Sequence, residues 1–441
     1  MSPRRIFIPI SGVSFRRLLG SSLVALALAL AVLAAPARAA GDDAARKARI
    51  AELMKQLRDP DAKIRREAAF YLGMQVEAAK NAVPALMKAL DDPDIDVRAA
   101  AAAALGWITR KERVAVPTMI KLLGDPEAKL RRSAAFALAQ IGPNAQDAAP
   151  AIIKLLHDPD PDVRMWSVVA LAHVAPNLKE TVPLLIQTLD DPDPRVWRRT
   201  VVVFGEMGPA AKEAVPSLIK LLGAAEADVR HDAASALGGI GPEAKEAVPP
   251  LIKVLPDPDR SVRQSAAYAL GQIGPAAKDA VPALITTLTD TYSEVREHAA
   301  VALGKIGPDA KRAVPALIKA LDDPIPGMRR DAARALGDIG TGAKKAIPSL
   351  IEALASKDWM MRLESAFALG KFGPEAKKAV PALIKNLAST NGGVQESAAF
   401  ALGQIGPAAK EAVPELRRVA QESPDARSRQ MASDALEKIG N

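Results

Sequence analysis

The sequence predicts an all-α fold, an α-solenoid of about twelve 33-residue helix-turn-helix units. Three observations predict it. A proline preceded by a small aliphatic residue stands at Pro84, Pro117, Pro150, Pro183, Pro216, Pro249, Pro282, Pro315, Pro348, Pro381 and Pro414, always 33 residues apart, and a fixed period of this size marks a repeat array. Within each period the apolar residues fall on two successive helix faces. Hydrophobic residues make up 49% of the chain but aromatics only 3%, so the core is built of small aliphatic side chains, which suits closely packed helices.

The chain begins with an address. Arg4, Arg5, Arg16 and Arg17 precede an apolar run from Leu23 to Ala35, and Ala37-Arg38-Ala39 follows. Basic segment, apolar segment and small-residue site in this order describe a secretory signal peptide, with cleavage expected after Ala39. The run is shorter than the roughly 20 residues of a membrane-spanning helix. Arg4-Arg5-Ile6-Phe7 resembles a twin-arginine export motif. The mature protein is expected in a periplasm or outside the cell, with no membrane span.

Residues 40–441 form the array. Its 441-residue parent chain would otherwise suggest two to four ordinary domains. Extending the period back one step reaches Ala51, so units start near residues 51, 84, 117, 150, 183, 216, 249, 282, 315, 348, 381 and 414. Counting the marker proline as position 1, apolar positions 3, 4 and 7 make the first helix. An Asp-Pro turn such as Asp92-Pro93-Asp94 follows. Position 11 is acidic in eight of the first eleven units, where a carboxylate can cap the second helix. Apolar positions 14, 18, 21, 22 and 25 make that second helix. Gly at position 26, usually followed by Pro as in Gly142-Pro143 and Gly307-Pro308, stops it. The marker proline inside a helix would kink it, so the spacing predicts either a kink or a separate short turn over residues such as Glu243–Ala247. A glycine recurs within the second helix at position 23, as in Gly106, Gly238, Gly271, Gly304 and Gly403. It costs about 1 kcal/mol against Ala, which implies a close backbone approach. The terminal units are expected to act as caps.

This pattern resembles the HEAT-repeat family, in particular its short phycobilisome-lyase-like type. The resemblance covers the whole mature chain. It rests on the Asp-Pro turn, the Val-Arg pair at positions 14–15 and closing runs such as Ala302-Leu303-Gly304-Lys305-Ile306-Gly307-Pro308. It implies an armadillo-like right-handed superhelix with the second helices lining the concave side.

Catalytic classes find little footing. There is no cysteine, which excludes disulfides and thiolate chemistry. The alternating Asp92, Asp94 and Asp96 lack the glycine and terminal glutamate of a calcium loop. His157, His173, His231 and His298 show no paired metal-ligand spacing, and the His-Glu pairs of HEAT-type iron hydroxylases are absent. Phycobilin lyase chemistry is disfavoured by the export signal. No enzyme and no cofactor are expected. The formal charge is +8, but the first 39 residues hold five arginines and no acid, leaving +3 for the rest. That balance is poor support for nucleic-acid binding.

Two residue rows remain. Arginine recurs at position 15, at Arg65, Arg98, Arg131, Arg164, Arg230, Arg263, Arg296, Arg329 and Arg362, with breaks at Trp197 and Gln395. Each lies one helical turn from an acid-rich turn, which makes a structural ladder within or between units. Positions 16, 17, 20 and 24 share a face of the second helix, and Phe70, Trp107, Phe136, Trp166, Tyr268, Phe367 and Phe400 occupy it. These are seven of the thirteen aromatics beyond residue 39. They either line a groove as binding residues or fill gaps between neighbouring second helices. In the middle units this face is polar with mixed charge. The expected function is an exported, non-catalytic scaffold, monomeric, holding a protein or peptide along its concave face. The alternative is a structural or assembly component of the cell envelope.

Overall fold

The computed structural model describes residues 41–440 apart from Lys111; the expected signal peptide lies outside the described residues. Twelve second helices run in chain order from Ala62–Met74 and Ile95–Ile108 to Gly392–Ile405 and Ala426–Ile439. Each is preceded by a first helix, commonly of seven residues such as Val248–Val254. Among the described residues there is no strand. Successive second helices pack directly against one another, so the core is a continuous strip in which each unit meets its neighbours.

The local chemistry explains each boundary. The marker proline falls at the second position of the first helix, as at Pro249, and at the third in the case of Pro183, where its missing N–H is no loss. The residues before it form a separate 3-10 turn, Gly241–Ala247 in that unit, broken at Ala244 (φ −90°, ψ 22°). Of the two outcomes the sequence allowed, the separate turn is the one adopted. The stop glycines have positive φ, 66° at Gly142 and 76° at Gly307, with ψ near −139°, a conformation open only to glycine. At Ala175-Pro176, which lacks the glycine, the 3-10 turn is missing and the Thr181 hydroxyl donates to the Ala175 carbonyl at 2.7 Å, whereas Val76–Ala82 keeps the turn without a Gly-Pro stop.

The second helix opens on its position-11 side chain. Asp94 and Asp160 each accept from two backbone N–H groups, while Asp61, Asp193, Asp259 and Asp358 each accept from one. The longer acids Glu127 and Glu226 make no such bond. At position 23 the close approach is real: a methyl group on Gly106 would stand 2.5 Å from Ala137 Cα, and one on Gly304 3.0 Å from Ala335 Cα. Unit 1, without the marker proline, starts with one uninterrupted helix, Gly41–Gln56.

Candidate functional site

The arginines join one unit to the next. Arg131 Nε and Nη2 donate to both oxygens of Asp158 at 2.7 and 2.9 Å, while its Nη1 donates to the carbonyls of Asp125 and Pro126. The same bidentate pairing joins Arg65 to Asp92, Arg164 to Asp191, Arg230 to Asp257, Arg263 to Asp290 and Arg296 to Asp323, always 27 residues apart. Each accepting carboxylate also takes the backbone N–H two residues on. Arg98, Arg329 and Arg362 hold the turn carbonyls of their own units. The position-9 acceptor was not read from the sequence, although Asp at that position is visible there.

The hydrogen bond from Arg65 is the main force holding the Asp92 carboxyl below its usual range. At Asp158, Asp191, Asp257, Asp290 and Asp323, burial pushes the pKa up, and the arginine and amide bonds outweigh it, leaving each carboxyl below its usual range. The guanidiniums are thus occupied by the fold and are not a cationic row for an acidic ligand.

A second charged row escaped the sequence reading. At position 13, units 1–6 alternate Lys63, Asp96, Lys129, Asp162, Arg195 and Asp228. Lys129 pairs with Asp96, and Arg195 with Asp162 at 2.6 Å. The position-16 arginines of every second unit reach the same acids: Arg66 to Asp96, Arg132 to Asp162 and Arg198 to Asp228. The signal is a 66-residue period, twice the unit.

The aromatic face divides in two. Phe70, Phe136 and Trp166 are buried, at 4–7% exposure. With half-buried Trp107 they form a row of edge-on rings at centroid distances of 6.1, 5.4 and 4.9 Å. As groove-lining contacts these three are corrected: they are buried among neighbouring second helices, each edge-on to the next ring. Tyr268 differs. It is 37% exposed, with one edge over the Gly238 backbone and His298 at 6.2 Å between ring centroids. Phe367 and Phe400 are half-buried and stack on each other at 5.3 Å. Position 17 is buried in several units, as at Ser133, Ser265 and Ser397, so from unit 5 onward the more open stripe consists of positions 16, 20 and 24.

In units 5, 9 and 10 the stripe is polar and internally matched. Arg334 bridges Asp331 at 3.4 Å and Glu364 at 2.5 Å, Lys371 pairs with Asp338, and Arg199 holds Glu206 at 3.1 Å. Burial pushes the Asp232 and Asp331 carboxyls up and the His173 imidazole down. His231 Nδ1 lies 3.1 Å from the Ser261 carbonyl and 2.7 Å from Ser265 Oγ. Among the described residues no group of three or more acidic or imidazole side chains is arranged to hold a metal ion, and no helix is long and apolar enough to cross a membrane. A cleft of about 350 Å³ between units 4 and 5 is lined by His157, Gln187 and the ladder pair Arg164–Asp191.

Comparison with known protein families matches HEAT repeats over eight overlapping stretches, from residues 50–135 to 380–441. A search of curated proteins gives no match. Among solved structures the chain is similar to importin beta, with 16% identity over 88% of this chain and 62% of that one and a TM-score of 0.57. It is similar also to Kap95p in a structure with RanGDP, with 14% identity over 94% and 65% of the two chains and a TM-score of 0.59. An engineered protein matches with 27% identity over 89% and 99% of the two chains at a TM-score of 0.47. This chain spans less than two thirds of the importin beta and Kap95p chains, and at these identities the likeness concerns the fold. These matches do not distinguish a phycobilisome-lyase-like subtype.

Proposed function

We propose that this chain, which belongs to the HEAT-repeat family, is an exported, non-catalytic scaffold that holds a protein or peptide along the stripe of its second helices, on the concave side. The exposure of Tyr268 carries this reading. A core ring would be covered, yet this one is 37% open, with Phe367 and Phe400 on the same row and half-buried. Aromatic anchors surrounded by polar groups are the composition of binding surfaces. Beside Phe367, Glu364 and Lys371 are paired with Arg334 and Asp338, so a partner meets fixed polar groups there. A solved relative in fold, Kap95p, binds RanGDP, which supports protein binding by such a solenoid. Export is supported by the basic and apolar run ending in Ala37-Arg38-Ala39.

The test is a pulldown from cell-envelope extract with residues 40–441, beside a variant carrying Tyr268→Ser, Phe367→Ser and Phe400→Ser, its fold checked by circular dichroism. A partner held by the parent and lost by the folded variant supports the reading. A partner held equally by both places binding elsewhere. Unaltered complexes together with altered self-assembly on changing the terminal units would favour a structural role in the envelope.

A further inference from the structure

The turns that join the two helices of each unit stack along one edge of the solenoid. From Asp61 in unit 1 to Asp259 in unit 7, the residue opening the second helix is an acid. In unit 8 it is Tyr292 and in unit 9 Ile325; unit 10 keeps Asp358 but continues Trp359-Met360. These four side chains are 42, 38, 41 and 41% exposed. Neither Tyr292 nor Ile325 makes a side-chain cap, which forfeits about 1 kcal/mol each against Asp. Tyr292 regains part of this through Arg260 and Arg263, which stand 5.1 and 5.8 Å from its ring centroid; Ile325 has no such contact with a cation.

Ladder rungs fix the turns of the first two, and Arg330 at position 16 fixes the third. Arg263 binds Asp290, two residues before Tyr292, and Arg296 binds Asp323, two residues before Ile325. Arg330 reaches Asp358, beside Trp359, at 3.1 Å. Position 13, charged in the early units, is Glu294, Gly327, Met360 and Gly393 in units 8–11, and the Trp359 ring passes 3.9 Å from where a Gly393 Cβ would be. Arg260 stands 5.1 Å from the Tyr292 ring and closes one end.

We infer that this edge docks a polyproline II segment of a partner protein, apolar at every third residue. The pitch argues for that shape. Stacked helices repeat every 8–10 Å or so, and one polyproline II turn of three residues advances about 9.3 Å. Same-side residues of a strand repeat at about 6.7 Å and turns of a helix at about 5.4 Å. The area argues for a short linear ligand. At these exposures the four side chains offer roughly 300 Å², well under the roughly 800 Å² per partner of a stable dimer. This edge is separate from the Tyr268 stripe.

The test is fluorescence anisotropy of the mature protein with a fluorescein-labelled peptide of Pro-Pro-Leu repeats. Tyr292→Asp with Ile325→Asp restores the residue type that units 1–7 carry, so folding is preserved; Trp359→Asn is a second, independent variant. Binding by the parent, weakened about tenfold or more in both variants and unchanged by Tyr268→Ser, supports the proposal. No binding by the parent, equal binding by the variants, or equal binding of a flexible Gly-Gly-Leu peptide overturns it. A parent that sediments as a dimer, dissociated by Tyr292→Asp with Ile325→Asp, also overturns it, in favour of a second copy as occupant.

Discussion

Arg131 and Asp158, 27 residues apart, meet through two parallel nitrogen–oxygen contacts of 2.7 and 2.9 Å, while the third guanidinium nitrogen binds two carbonyls of the arginine's own turn. One side chain therefore closes its own unit and fastens the next. Asp158→Ala leaves a largely covered guanidinium half-satisfied, and we expect a loss of about 2–3 kcal/mol in urea unfolding. Arg131→Lys offers one point charge for a planar fork and is expected to lose nearly as much.

Trp197 stands where the ladder would place arginine, and Ala224, its counterpart 27 residues on, stands where it would place aspartate. Both halves of one rung are missing together. Trp197→Arg combined with Ala224→Asp is expected to raise the melting temperature, whereas either change alone leaves a charge without its partner and lowers it. Additive single effects in this double-mutant cycle would mean the two positions do not form a rung.

Gly106→Ala gains helix propensity of about 1 kcal/mol but drives a methyl group into the Ala137 backbone at 2.5 Å. Overpacking of about 1–3 kcal/mol wins, so net destabilisation is expected. Gly124→Ala meets only an ordinary 3.6 Å contact and serves as the near-neutral control by thermal melting.

The ladder carboxylates have folded pKa values below the usual 3.8. A depressed carboxylate pKa contributes stability above its unfolded value, and that contribution is lost as pH falls through the folded value. The arginines stay charged throughout. Melting temperature should be flat from about pH 7 to 5 and drop steeply below about pH 4. A flat profile down to pH 2 would contradict the ladder's electrostatic share.

Phe136→Ala removes a ring 4% exposed between Trp107 and Trp166 and should cost about 3–4 kcal/mol. Tyr268→Ala, on a ring more than a third open, should cost under about half as much by the same denaturation measurement. Equal costs would show Tyr268 to be core after all.

Sequencing the N-terminus of protein recovered from outside the cytoplasm should give Ala40 as its first residue. A protein retained inside with residues 1–39 intact would remove export from the proposal.

The unit itself was open to reading because each of its boundaries has a local cause. The proline at the head of the first helix, the acid at position 11 and the glycine at position 26 act within a few residues. Gly106 could be read too, since its cost inside a helix demands a neighbour pressed close. The fate of the aromatics could not be read this way, because it depends on what the adjacent units place beside them. Phe136 has indole rings on both sides, whereas Tyr268 has Ser235 and Val301 at the same position of its neighbours. The Tyr292 and Ile325 ridge was visible only as two exceptions to the acid at position 11, and exposure gave those exceptions a meaning.

The six rungs all run one way, each bridging arginine reaching forward to the aspartate of the following unit. The array therefore has a direction, as an arrow has, with a donor face at one side of a bridged unit and an acceptor face at the other. Two arrays brought head to head would present like to like. Only head-to-tail joining could extend the ladder, and a block cut out in whole units would leave two ends that fit each other.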